Sequence, residues 1–392
     1  MNGITFNRQN GGLGRRLPGE DHISGLIILN YAYEIGPMVI NGVDDFEGGG
    51  IGINNTPELF YHASEYFRLN PGSKLYICAF DFLEYRALEI LQNFAGGKIR
   101  QVAILDYIND QQTMAEAITN FNARAVELAQ KNMPLVVLYQ NVRSPLDLPN
   151  LPDLKSYEAE RTSVLIGEDG AGLGRWFKNQ SVIILGCAGA VLGAVSRAKV
   201  QESIAWVERQ NLVTTAYDKD VYGEGTTLAK ELDVPAFVDG SLVSSYTRAQ
   251  LQTLHDKGYI FMVKHVGMAG TYLNDSFTAT GANSDFAYIE NNRTMDKAQR
   301  GVYTALLPKI SGPLLIDATS GFIREDVAAS LEALAAQPLE QMERDGEISG
   351  FNVFINPEQE VLQTSVLNVT LSVVPVGVMR NIVVNLGFTL QV

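Results

Sequence analysis

Along residues 384–392, Val-Asn-Leu-Gly-Phe-Thr-Leu-Gln-Val, apolar and polar side chains alternate without interruption. At period two, Val384, Leu386, Phe388, Leu390 and Val392 share one face and Asn385, Gly387, Thr389 and Gln391 the other, which predicts a half-buried strand. Upstream, Leu367, Val369, Leu371 and Val373 alternate with Asn368, Thr370 and Ser372. That run closes at Val374-Pro375, because proline has no N–H to give to a ladder. Near the other end Ile4 and Phe6 alternate with Thr5 and Asn7, and the next twelve residues, Asn10–Asp21, hold four glycines and predict a loose tether. Such a strand can lie at the edge of its own domain's sheet or add to an exposed edge on another molecule. Period two does not say whose sheet is completed.

Between the ends the pattern changes twice. The short apolar runs Leu26–Leu29, Leu75–Phe80, Val102–Leu105, Leu135–Leu138 and Val182–Leu185 predict buried strands. They alternate with stretches of helical spacing at Glu84–Phe94, Gln111–Asn132 and Ala190–Gln210, the second with Ala117, Ile118, Phe121, Ala125 and Leu128 on one stripe. Strand and helix in alternation predict an α/β layer domain. From Lys257 the texture differs. A strand over Tyr259–Val263, a Gly-, Asn- and Thr-rich passage, a strand over Phe286–Ile289, a helix from Asp296 and another from Glu325 predict an α+β domain. The second helix carries Val327, Leu331, Leu334, Leu339 and Met342 and stops at Asp345-Gly346. The chain thus divides into an arm over 1–22, an α/β domain over 23–255 and an α+β domain over 256–392.

Composition narrows the function classes. A chain of 392 residues with 46% hydrophobic and 19% charged residues fits a globular protein of two or three domains. No apolar run reaches the roughly 18 residues of a membrane span, and the first residues have neither the basic nor the apolar part of a signal peptide. Cys78 and Cys187 sit inside apolar runs and read as buried free thiols. The net charge of −14 repels phosphate backbones and anionic lipid surfaces, so neither nucleic acid nor membrane insertion is expected.

Enzyme-like motifs are weak. Gly186-Cys-Ala-Gly189-Ala-Val-Leu-Gly193 follows a strand and opens a helix, but its spacing does not match the dinucleotide loop G-x-G-x-x-G, and close packing of a small-residue helix start explains it equally. Gly167–Arg175 is glycine-rich without the Lys-Ser/Thr ending of a phosphate loop, and reads as a mobile loop. His22, His62, His255 and His265 have no metal-ligand or triad spacing. No catalytic, cofactor-binding or metal-binding residue is expected.

The order of these elements resembles the contractile tail sheath proteins of bacteriophages and related injection systems. The likeness runs through Ser24–Leu29, Ile35-Gly-Pro37, Thr56–Phe67 and the strand at Leu75. It continues through Lys257–Ile260, Gly270-Thr-Tyr, Asp285–Asp296 and Asp345–Gly350, with two strands and Pro375 after them. Asn292-Arg293 stands where sheaths usually have a doubled arginine. The resemblance implies a non-enzymatic subunit with an outer α/β domain and an inner, tube-facing α+β domain. It implies stacked hexameric rings around a tail tube, contracting to drive the tube through a cell envelope, with strands near both termini exchanged between subunits through Ile4, Phe6, Val384, Leu386, Phe388, Leu390 and Val392. The implied partners are other copies of the chain, the tube protein, the baseplate and the tail terminator, in a virion tail assembled in the host cytoplasm. Acids on the Glu325 helix, Glu332, Glu340 and Glu343, are candidates to face a basic tube. Two other readings stay open on the residues: a Rossmann-like nucleotide-binding enzyme and a non-contractile tail or assembly protein.

Overall fold

The computed structural model describes residues 20–389 except 47, 108–110, 143–147, 173, 178–183 and 214–229. The strands β1 (Ser24–Leu29), β2 (Ile35–Ile40), β3 (Leu75–Ala79), β4 (Gln101–Asp106), β5 (Val136–Asn141) and β6 (Thr162–Val164) form one sheet in the order β2-β3-β1-β4-β5-β6. All are parallel except β2, which returns antiparallel along β3. Parallel neighbours need crossovers. These are made by α1 (Pro57–Leu69), α2 (Ala87–Phe94) and α3 (Gln111–Gln130), while α4 (Ala188–Arg197) and α5 (Arg248–Asp256) follow the sheet. Side chains alternate along each strand between two cores. Leu26 and Ile28 of β1 enter the core shared with α1 and α4, and Ile27 and Leu29 enter the core shared with α2 and α3. Burial on both faces is why these strands read as unbroken apolar runs.

Two short antiparallel pairs flank the sheet: β7 (Gly167–Asp169) with β8 (Pro235–Phe237), and β9 (Met262–Val263) with β10 (Tyr272–Leu273). The chain then enters α6 (Ile289–Leu306) and α7 (Glu325–Arg344), and ends its regular structure in the antiparallel pair β11 (Ile348–Phe354) and β12 (Thr370–Pro375). The apolar cores divide along α6. Ile260, Met262, Leu273, Phe277 and Ile289 sit in one core of the large sheet, whereas Ala298, farther along α6, packs with Leu339, Met342 and Ile348 in a separate small core.

Several elements differ from the sequence reading. The helix expected over 190–210 spans only Ala188–Arg197, because Ala198 turns extended (ψ 142°) and turns carry the chain onward. Gly167–Asp169, read as part of a mobile loop, is a buried strand. Of the run Val182–Leu185, only Ile184 and Leu185 are described, and they form no strand. The strand over Tyr259–Val263 shortens to β9, with Ile260 bridging Leu165. No strand forms over Phe286–Ile289: Tyr288 bridges Phe277 and caps α6, which begins seven residues before Asp296. The buried face of α6 is largely polar, with Glu290, Asn292, Arg293, Thr294 and Asp296, so hydrophobic periodicity could not reveal its first turns.

Candidate strand-exchange interface

The α6–α7 pair forms the platform for the last strands. On α7, Ala328, Leu331, Ala335, Leu339 and Met342 are buried at spacings of three and four, as a single helical stripe requires. Pro338 interrupts the hydrogen bonding of this helix, and Gly301 of α6 lies against it: a Cβ there would come within 2.7 Å of the proline ring. The helix ends in a Schellman motif. Glu347 N–H reaches the Met342 carbonyl at 2.8 Å and Gly346 N–H the Glu343 carbonyl at 3.0 Å, with Gly346 at φ 69°. That reversal delivers β11 onto the platform.

Phe351 and Val353 of β11, with Leu371 and Val373 of β12, pack against the Leu339–Met342 core, and Leu367 and Val369 continue the same side over Ile323, Leu331 and Ile355. The alternation read from the sequence between Leu367 and Val373 is therefore the buried face of β12 and its approach. The sheet has only two strands among the described residues, so each keeps an outer edge without a ladder partner.

Among the described residues beyond Pro375, 376–389, no helix or strand forms. Val384 is 68% exposed, Leu386 93% and Phe388 111%, and Met379, Ile382 and Val383 also face outward. Leu390, Val392, Ile4 and Phe6 lie outside the described residues. A run of large apolar side chains this exposed has no counterpart on an ordinary monomer surface. Its period-two pattern joins no sheet among the described residues. The segment leaves the body at Arg380. The guanidinium donates to Asp275 at 3.1 Å and to Glu290, and lies 3.4 Å over the Tyr288 ring. Burial pulls this guanidinium down, but Glu290 and Asp275 outweigh it and hold it above its ordinary value. It stays charged.

The acids of α7 do not act alike. Glu332 accepts the Ile355 N–H at 2.7 Å, tying α7 to the chain just past β11. Glu340 is exposed and 3.7 Å from Arg344, and Glu343 is exposed.

The glycine turn that invites a nucleotide is filled from within. Gln140 Oε1 accepts the N–H groups of Cys187 and Ala188, both at 2.9 Å, and His62 Nδ1 accepts that of Gly189 at 3.1 Å. His62 Nε2 therefore carries the proton and donates to the Leu185 carbonyl at 2.7 Å. Burial pulls His62 down to about 3, so the ring is neutral in the folded protein. The first N–H groups of α4, which would hold a phosphate, are already bonded. The glycines serve close approach instead: a Cβ at Gly189 would meet the His62 carbonyl oxygen at 2.3 Å, and one at Gly193 the Tyr66 carbonyl oxygen at 3.1 Å. At the carboxyl ends of β1 and β4, where open α/β sheets bind ligands, Asp106 accepts from Asn30 at 2.7 Å and from Tyr139 at 2.8 Å. Among the described residues no cluster of His, Cys, Asp and Glu could hold a metal, and no helix is long and apolar enough to cross a membrane.

The fold matches that of contractile sheaths. The cryo-EM structure of the anti-feeding prophage (AFP) helical sheath in its contracted state aligns with a TM-score of 0.62 at 14% identity, covering 99% of each chain. The contracted sheath complex of an extracellular contractile injection system, PVC, aligns with a TM-score of 0.57 at 12% identity, covering 100% of this chain and 98% of that one. No curated protein sequence matches. Family models for the DUF2586 N-terminal domain and the DUF2586 C-terminal domain match residues 1–277 and 285–392. The two meet beside the start of α6, close to the seam between cores, and on this match the chain belongs to the DUF2586 family, with the fold of a contractile sheath subunit.

Proposed function

We propose that this chain is the structural subunit of a contractile sheath, polymerising through exchanged terminal strands as stacked hexameric rings around a tube. The observation that carries the reading is the exposed, alternating segment Val384–Phe388, in a chain whose last sheet has, among the described residues, two strands with open outer edges. A strand added to such an edge satisfies its backbone and buries its apolar face in one step. The neighbour's β11–β12 pair is the natural receiver. The α+β unit is the inner, tube-facing domain and the α/β unit the outer one. Contraction is a downhill switch between two packings of rigid domains, driving the tube through a cell envelope without nucleotide. The partners are other copies of the chain, the tube protein, the baseplate and the terminator, in a phage tail or a related injection system. No catalysis is involved.

Negative-stain microscopy of the purified protein tests the reading: tubes or stacked rings are expected, while a uniform monomer at high concentration would refute it and a single closed ring would favour the non-contractile assembly protein. Deleting Asn2–Arg15 removes one of the two links and should leave subunits that fold but form tubes rarely or in fragments. Normal contractile tubes from that deletion would rule the arm out as a connector.

The charge of α7 supplies a separate test. Reversing Glu340 and Glu343 to lysine should weaken assembly on the tube about tenfold while sparing tube-free polymers, and added salt should do the same to the native protein. Glu332 is left in place because its reversal would strand the Ile355 N–H. Co-sedimentation with the tube protein at two salt concentrations reads the effect, and indifference to both changes would mean that these acids face solvent.

A further inference from the structure

Both terminal segments are fastened to one helix, and the N-terminal one is also tied to the start of β4, where Arg100 pairs with Glu20 at 2.8 Å and Gln101 donates to the Asp21 carbonyl at 3.1 Å. At the N-terminal side, Asp21 is the root of the arm, three residues before β1. Its carboxylate pairs with Arg300 at 2.6 Å and Lys297 at 2.8 Å, and its carbonyl accepts from Arg293 at 3.4 Å. Lys297 also reaches Glu347 at 2.7 Å, at the entry to β11. Burial pushes the Asp21 carboxyl up, but Lys297, Arg300 and Arg293 pull harder and leave it below its ordinary value. At the C-terminal side, Arg380 is the root, and Glu290 and Asp275 hold it. Glu290, Arg293, Lys297 and Arg300 are spaced three, four and three apart, so they form one face of α6.

The helix itself is braced against the α/β body. Arg161 forks onto Asp296 with bonds of 3.0 and 2.9 Å, and buried Arg293 donates to the Ala198 and Lys199 carbonyls at the end of α4, both at 3.1 Å. Forked, largely buried ion pairs of this kind are the strong ones, since removing one partner leaves a charge without its counter-ion in a dry site. Exposed surface pairs elsewhere on the chain, such as Arg324 with Asp326, have no such leverage.

We infer that the first three turns of α6 are a shared anchor of both exchange segments, so that tension entering a subunit along one arm is passed to the other through this helix as well as into the large sheet. The inference rests on the strand-exchange reading above. Two roots on separate elements would load the interface between domains at each contraction. Two roots on one braced helix keep both links at one fixed place on the subunit while its neighbours move. Asp21 and Arg380 are positioning residues here: they fix where the arms begin and touch no neighbour's strand themselves.

The test uses the full chain with Asp21→Asn and Arg380→Gln, singly and combined. In the free subunit, hydrogen exchange should rise about fivefold over the same peptide, residues 289–306, in both single variants. Exchange confined to residues near each mutation would overturn the shared anchor. In polymers, each variant should shorten the half-life in moderate urea about tenfold, and the combination should do no worse than the weaker single, because elements in series fail at the weakest one. Multiplied losses in the combination, or native half-lives in both singles, would also overturn it. Should Arg380→Gln fail to fold, Arg380→Lys keeps the charge against Glu290 while giving up the fork and the Tyr288 stacking, and the same two measurements apply. A native chain that never polymerises would refute strand exchange itself, and the exchange measurement on the free subunit would still decide whether the two roots share α6.

Discussion

A subunit lacking residues 384–392 is expected to be soluble, to melt within about 1 °C of the native chain, and to form no polymer. The melting part follows from exposure. Leu386 and Phe388 are almost wholly exposed and Val384 about two-thirds so, and their removal takes away little buried area; surface changes of this kind stay within about 0.5 kcal/mol. The polymer part follows from the size of one link. About five backbone hydrogen bonds at roughly 1 kcal/mol net each, with three apolar side chains at about 1.5–3 kcal/mol each, give a gross gain near 10 kcal/mol. Ordering the free segment costs about 1–2 kcal/mol per residue and consumes most of it. One link is therefore worth a few kcal/mol, and a mesh of many holds by effective concentration. Lysine at Leu386 and Phe388 in the full-length chain should have the same effect, since it puts charge into the face to be buried. Size-exclusion chromatography, calorimetric melting and microscopy together check the outcome. A truncated protein that melts much earlier would show that the segment belongs to its own domain.

Replacing Gly189 with valine should have the largest effect on the fold itself. The new Cβ would stand 2.3 Å from the His62 carbonyl oxygen and 2.6 Å from the His62 Cα, both backbone atoms of α1 that cannot swing aside. Helices α1 and α4 must separate, which breaks the Gly189 N–H bond to His62 and opens the core holding Leu59, Ala63, Val191 and Leu192. Overpacking of this kind costs about 3 kcal/mol or more, enough to lower the melting temperature by several degrees and to drive the protein into the insoluble fraction. The native protein, in which Gln140 and His62 occupy the N–H groups of this turn, should give no saturable heat with millimolar NAD or ATP. A saturable isotherm would revive the enzyme reading. A soluble Gly189→Val protein with native melting would show that the two helices are not pressed together here.

Much of the architecture was legible in the chain. Strands buried on both faces advertise themselves as unbroken runs, as at Leu26–Leu29 and Val102–Leu105, because a parallel sheet covered by helices has no polar face to show. The stripe of α7 and its stop at Gly346 were equally plain, since one face of that helix is apolar and one left-handed residue ends it. The first turns of α6 were not legible. Their contacts are made by Glu290, Asn292, Arg293 and Asp296, and a helix buried through ion pairs has no hydrophobic period. The same cause hid where the apolar cores divide along that helix.

The candidate site divides the same way. Period two by itself determined which side chains of residues 384–388 share a face, because alternation is a property of the extended backbone and needs no partner. It could not say that this face stays exposed in the folded subunit. Only the tertiary structure decided that, by closing β11 onto β12 with open outer edges and releasing the chain at Arg380. Nor could spacing reveal that Asp21 and Arg380, far apart in the chain, fasten to one helix. Charge pairing depends on distance in space, and residues so separated in sequence are brought together only by the fold.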